Sequence, residues 1–405
     1  MHKYQEEKRH EYTFFALFLY ATMIVDLYKM FNQMFIGLPN SSSELLRNFI
    51  YIIVFFYILW DALKNKRITE PLLLTILFII LMSASYFINH EIRPLMSETI
   101  LMFVSRLMPA YYITRYVNNW DSFLEKIDRL KWLAVLYSLV IIIFPNEISG
   151  HYMTLSYNLL IPVIVMLNVA IYKKKFSSYF GACICLYTMF FYGARGPIMC
   201  VIFSMIILVI ISYRNLKTGN RLLLLFGSIF LVSLFFYTDI AAWVYRIKPN
   251  SRTVQLLYKN SLFQTAARDI YWKNSIRELI NSPLKIRGFL GDRTYFSSVF
   301  NQSIITGIYA HNFIIELFLQ FGILIGGLLL VGLILTSFKA FKNALYTKEK
   351  EKKAGFATFF GPIFIFSMIS GSYLSHYQLW LMFGVVANFI KRENIRNGVT
   401  DSLIT

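Results

Sequence analysis

Charge is what this 405-residue chain has least of. Asp, Glu, Lys and Arg together make up 15% of it, against roughly a quarter in a soluble domain. That shortage excludes a water-soluble surface over most of the length. Cysteine is scarce too: Cys183, Cys185 and Cys200 all fall inside apolar runs. They form neither a disulfide framework nor a metal-ligand set, and read as packing residues. Acid is scarcer than base, 22 residues against 40, leaving a formal net charge of +18. No soluble domain, low-complexity tract or internal repeat is visible.

What the chain does have is hydrocarbon. Hydrophobic residues make up 57% of it, the mean hydropathy is +0.54, and apolar runs of about 18 to 25 residues recur, each enough to cross a bilayer. The pattern predicts an all-α, polytopic membrane helical bundle with about twelve spans: 12–37, 46–63, 71–89, 95–114, 132–148, 154–172, 178–193, 197–213, 222–244, 312–338, 355–373 and 376–390. The first follows the charged head MHKYQEEKRH, which has no small-residue cleavage site, and reads as a retained signal anchor.

Lys and Arg then set the orientation. One side collects Lys3, Lys8 and Arg9, then Lys64, Lys66 and Arg67, then Arg115, Lys126, Arg129 and Lys131. The same side holds Lys173 to Lys175, Arg214, Lys217 and Arg221, the run from Lys339 to Lys353, and Lys391, Arg392 and Arg396. Short loops on the other side hold only Arg93 and Arg195. Both termini are therefore expected in the cytoplasm. The chain divides into spans one to nine (1–244), a large external loop (245–311), spans ten to twelve (312–390) and a cytoplasmic tail (391–405). Most of the net charge lies in cytoplasmic loops beside anionic lipid, so nucleic-acid binding is not needed to explain it.

The external loop carries ten Lys and Arg on the side basic residues normally avoid. Within it, TAARDIYWKNSIRELIN, from Thr265 to Asn281, predicts a short amphipathic helix. Thr265 would cap it, Asp269 suits its first turn and Pro283 would stop it. At about 100° per residue Trp272, Ile276, Leu279 and Ile280 share a face, Arg268 lies at its edge and Arg277 points nearly opposite. Arg277 reads as a solvated or headgroup-contacting residue. Arg268 needs an anionic partner, because a desolvated unpaired charge is expensive. That partner is Asp269, another acid, or a phosphate.

Arg195 sits in YGARGP at a tight external turn, with Pro197 suited to open the next helix. It either snorkels to headgroups or serves a site. Arg106 is a second intramembrane cation, with Glu98 or Asp26 as candidate partners. His311 opens the tenth span in YAHNFIIELFLQFGILIGG, yet composition alone does not separate it from His90, His151 and His376.

Taken in order, ARDIYWKNSIRELINSPLKIRGFLGD and AHNFIIELFLQFGILIGG resemble the C-terminal signature of the O-antigen polymerase and O-antigen ligase family. That signature is an Arg followed by a Trp-containing helix, an N-x-P turn into a Gly-x-x-Gly-like stretch, and an His-Asn helix start. ARGPIM resembles the family's Arg-bearing turn, and SHYQLWLMFG its closing helix. The resemblance covers about residues 190 to 390. Gln320 departs from it, standing where an acid is common, with Glu316 one turn earlier.

The resemblance implies a plasma-membrane enzyme of external-face chemistry, acting on an undecaprenyl-pyrophosphate-linked oligosaccharide. A polymerase moves the glycan onto a lipid-linked repeat unit; a ligase moves it onto lipid A core. A chain-length regulator protein is the further partner the resemblance admits. Pyrophosphate is a good leaving group, so a glycosidase-type carboxylate pair is unnecessary, whereas developing phosphate charge calls for Arg. Arg195 and Arg268 are expected as that pair and His311 as the base. Arg277, Arg287, Asn312, Tyr271 and Trp272 are the candidate substrate contacts, although loop aromatics serve packing as readily as sugar stacking. No cofactor or metal is expected; Asp-x-Asp occurs nowhere, which disfavours the metal-dependent many-span glycosyltransferases. A flippase or transporter, or a non-catalytic scaffold, remains the alternative from other classes.

Overall fold

The computed structural model describes residues 2–36, 41–144, 152–192, 195–212, 242, 245–246, 268–304 and 308–401. The regular structure in them is helical, with no strand among the described residues. The expected ninth span, the first part of the large loop and the Thr265 cap lie outside them.

In chain order the helices are α1 (His2–Phe31), α2 (Ser41–Lys64), α3 (Thr69–Ile88), α4 (Arg93–Met102), α5 (Met108–Arg115), α6 (Trp120–Arg129), α7 (Lys131–Ile143), α8 (Tyr152–Lys173), α9 (Phe176–Tyr192) and α10 (Arg195–Ser212). They continue with α11 (Arg268–Asn281), α12 (Gly291–Phe300), α13 (Phe313–Tyr346), α14 (Lys350–Ile369) and α15 (Tyr377–Asp401). Five stretches are long and apolar enough to cross a membrane: Tyr12–Phe31, Ser41–Lys64, Thr69–Ile88, Met153–Lys173 and Phe313–Tyr346. Phe176–Tyr192, Gly196–Ser212 and Tyr377–Ile390 are apolar but shorter. The chain is thus a helical membrane protein.

The fourth expected span shows how sequence shapes a helix locally. α4 runs into α5 through a π-helical turn at Phe103–Leu107, immediately before Pro109. Proline lacks the N–H that a regular turn needs and its ring crowds the preceding carbonyl, so the ladder widens there.

The helices form two compact units: residues 1–51, 118–264 and 344–362, and residues 52–117, 265–343 and 363–405. The first is centred on α8, whose Leu159, Val163, Ile164 and Met166 are buried. Two buried carboxylates inside its helices are well partnered. Asp26 accepts from Asn158 at 2.7 Å and Tyr137 at 3.2 Å, and Asp128 binds Lys131, Lys175 and Ser178. α6 is the amphipathic exception among apolar neighbours, burying Trp120, Phe123 and Ile127.

In the second unit α15 lies against α5. A Cβ on Gly384 would stand 2.2 Å from Thr114 Oγ1 and 2.3 Å from the Tyr111 carbonyl oxygen, so only glycine permits that approach. Thr114 donates to the Leu381 carbonyl at 2.8 Å, and Asn388 donates to the Arg115 carbonyl at 2.7 Å. Arg115 in turn forks onto Glu70 at 2.8 and 3.0 Å. α13 is the least regular long helix: at Gly322 the backbone swings to φ 71°, ψ 169°, so two helical arms meet at a kink.

Candidate functional site

The candidate site lies in the second unit and is assembled from α11, α12, the start of α13 and the turn after α14. α11 begins at Arg268 and ends before Pro283, with Ser275 and Leu279 buried. Trp272 and Leu279 share the inward side as expected, whereas Ile276 and Ile280 are exposed. The stretch after Pro283 then turns sharply. Gly288 has φ +74°, and a Cβ there would lie 2.7 Å from Ser85 Cβ; at Gly291 a Cβ would lie 2.2 Å from Arg287 Cβ. Those two approaches explain the Gly-x-x-Gly spacing. Ser85 and Asn89, at the end of α3, fasten the segment by accepting from the Phe289 N–H at 2.8 Å and donating to Thr294 at 2.8 Å.

His311 is clamped from both sides in a backbone conformation that side chains rarely adopt, φ +54°. On one side the Trp272 indole donates to the Ala310 carbonyl at 3.0 Å. On the other, Asn312 caps α13, accepting from the Ile314 and Ile315 N–H groups at 3.0 and 3.1 Å and donating to the Met368 carbonyl at 3.0 Å. Its ring packs against Tyr309 at 4.1 Å and Tyr271 at 5.8 Å between centroids. Tyr271 also meets Phe296 and Phe300 edge-on. A left-handed histidine costs on the order of 1–3 kcal/mol and persists where the surroundings over-determine it, often at functional positions. Burial pushes the His311 imidazole down to about 4, with the positive charges of Arg268 and Arg293 adding to the effect.

Arg268 donates to the Ser370 hydroxyl at 2.9 Å, and no carboxylate pairs with it among the described residues. Ser370 is held in turn, its carbonyl accepting from Tyr309 at 2.9 Å. Among the described residues Arg268 is thus a cation held by a neutral hydroxyl beside a neutral imidazole, which leaves local positive potential for an anion.

Arg293 is the residue sequence reasoning missed. Buried at the start of α12, it donates to Asp292 at 2.9 Å, Glu316 at 3.1 Å and Ser372 at 3.0 Å, and lies 5.7 Å from the Tyr309 ring centroid. Burial would lower its pKa, but Asp292 and Glu316 outweigh that and hold it above its ordinary value. Gln320 donates to Asp292 at 2.6 Å and accepts from Tyr373, so the residue that departs from the family pattern is built into this cluster. A carboxylate in the apolar run FIIELFLQ was the available signal, since an acid at membrane depth requires a partner.

The other candidates fall into different places. Arg287 is buried, pairing with Glu278 and donating to the Leu319 carbonyl at 3.3 Å. Arg277 is exposed on the outer side of α11. Arg195 opens α10 in the first unit, and its side chain lies outside the described residues. The unit containing α11 therefore brings together Arg268, Arg293, His311, Tyr271, Trp272 and Asn312. Comparison with family models, curated proteins and solved structures finds no match to this chain.

Proposed function

We propose that the protein is a membrane glycosyltransferase, a polysaccharide repeat-unit polymerase that transfers a glycan from a polyprenyl diphosphate onto a lipid-linked oligosaccharide. In this reading it works at the external face of the plasma membrane, with about twelve spans and both termini cytoplasmic. The observation that carries it is Arg268, a cation with a hydroxyl and no acid for a partner among the described residues, beside the clamped His311. Both features suit a phosphate ester whose leaving oxygen gains charge.

In the reaction the bond between the anomeric carbon and the diphosphate oxygen breaks, and a bond to the acceptor hydroxyl oxygen forms. The diphosphate leaves with the electron pair, beside Arg268. The acceptor's proton passes to the neutral imidazole of His311. In the free site His311 is a weak base, because burial and two guanidinium charges oppose its protonation. An anionic diphosphate beside Arg268 offsets one of those charges, so the base strengthens when substrate is bound.

The test is polymer formation in cells lacking the native gene product and carrying Arg268→Ala, Arg268→Lys or His311→Gln at equal membrane levels. Loss with Arg268→Lys supports bidentate donation, since lysine lacks the planar fork; normal polymer from all three overturns the reading. A transporter of lipid-linked oligosaccharide is the second reading, because α13 is broken at Gly322 and broken helices are common in transporters. Vesicles that translocate substrate without lengthening its glycan would decide for it.

A further inference from the structure

Outside the candidate site, the most conspicuous unassigned surface runs from α11 to the kink of α13. Ile276, Ile280, Leu284 and Ile286 are all exposed, Ile280 at 73% and Leu284 at 69%. Lys273, Arg277 and Lys285 are exposed among them. In water this would be a costly arrangement, a row of large exposed aliphatic side chains.

The backbone shows what lies next to it. The Ile323 N–H, just past the kink, donates to the Pro283 carbonyl at 2.7 Å, and Gly322 is so close that a Cβ would stand 3.1 Å from the Leu284 backbone. Leu284 is thereby placed at the top of the second arm of α13. That arm exposes Ile323, Leu324, Leu328, Val331, Ile334, Leu335 and Phe338, then Lys339 and Lys342. Ile323 to Phe338 spans about 22 Å along a helix, which fits inside a hydrocarbon layer about 30 Å thick. With Lys339 at one edge of that layer, Leu284 and Ile280 stand close to the other. The exposed row on α11 therefore continues the lipid-facing stripe of a membrane-crossing helix.

We infer that the outer face of residues 273–286 is a membrane-docking surface: Ile276, Ile280, Leu284 and Ile286 enter the edge of the hydrocarbon while Lys273, Arg277 and Lys285 meet anionic headgroup phosphates. Helices with apolar and basic residues on one exposed side lie in an interface in this way. Arg268, on the opposite side of the same helix, is then held at headgroup level. A lipid-linked phosphate would meet it laterally from the bilayer. The docking surface itself does not depend on the glycan-transfer reading.

The experiment uses the full-length protein with Cys183, Cys185 and Cys200 replaced by Ala, and single cysteines at 280, 284, 298 or 328 carrying a fluorophore. In lipid nanodiscs, labels at 280 and 284 should be quenched by a nitroxide placed shallow in the acyl chain and several-fold less by aqueous iodide than the label at exposed Ser298. The label at 328 should respond to a deep nitroxide. Iodide quenching at 280 and 284 equal to that at 298 would overturn the proposal. Anionic discs should shield 280 more than neutral ones, and K273Q/R277Q/K285Q should remove that difference; no difference for the unsubstituted basic set would overturn the headgroup contact.

Discussion

Replacing Gly322 with alanine separates two pictures of α13 by the sign of the effect. In an uninterrupted helix, Gly→Ala relieves backbone entropy and stabilises by up to about 1 kcal/mol. At φ 71°, ψ 169° the backbone occupies a region essentially reserved for glycine, and a side chain there costs on the order of 1–3 kcal/mol. The added Cβ would also lie 3.1 Å from the Leu284 carbonyl carbon and 3.2 Å from two carbonyl oxygens. These are backbone atoms that cannot rotate away, and the Ile323 to Pro283 hydrogen bond would stretch. Net destabilisation of roughly 2–4 kcal/mol is expected. Gly332, on the same arm with nothing within 4 Å of its Cβ position, is the control. Thermal unfolding in detergent should show Gly322→Ala well below the parent protein and Gly332→Ala level with it or above. A Gly322→Ala protein as stable as Gly332→Ala would mean that α13 is straight, and would remove the contact that sets residues 283–286 against it.

Other outcomes follow from the site. In nitrogen-15 NMR of selectively labelled histidine, His311 should stay neutral down to about pH 4. Arg268→Ala should move its titration upward by removing a nearby positive charge; no movement would place the two apart. Because the folded pKa lies below that of an unfolded histidine, the contribution of His311 to stability is full above about pH 6.5 and is lost as pH falls through about 4. His311→Gln should flatten that part of the pH–stability curve. Arg293→Ala should strand Asp292 and Glu316 without their cation, costing on the order of 3–5 kcal/mol, and sharply reduce the protein recovered in membranes; wild-type levels would contradict the buried cluster. Trp272→Phe should cost about 1 kcal/mol from the lost hydrogen bond to Ala310, read as a lower melting temperature.

Much of the scaffold was legible from periodicity and stop signals, because those are local. The apolar runs mark helices, Pro283 closes α11, and Trp272 with Leu279 points inward. Where neighbours decide, the pattern misled. Spacing puts Ile276 and Ile280 on one apolar face with Trp272 and Leu279, yet Leu279 is buried and the two isoleucines are exposed, where hydrocarbon replaces protein as the apolar partner. The run 312–338 reads as one span, because a glycine in an apolar helix gives no sign of whether it bends; the close approach of Pro283 and Leu284 accompanies a kink at Gly322. Twelve spans were expected from charge alternation, while five described helices meet the length and hydropathy of a full crossing. Part of the difference is the interruption near Pro109, which splits an otherwise apolar segment. Within the candidate site, Arg268 could be singled out from its place at the edge of an apolar helix face, whereas His311 stood out only through the family resemblance. Arg293 could not be named: Glu316 in an apolar run calls for a cation, but one more basic residue in a basic loop carries no mark of the acids it meets in space.

The most direct measurement of the central claim is a reconstituted reaction: purified protein in liposomes, given a polyprenyl-diphosphate-linked repeat unit, with released polyprenyl diphosphate and glycan length followed together. The account predicts longer glycan and one polyprenyl diphosphate freed for each bond formed, and a loss of roughly 10² or more in rate for Arg268→Ala. Chain growth by Arg268→Ala at the parent rate, or no release of polyprenyl diphosphate by the parent protein, would contradict it.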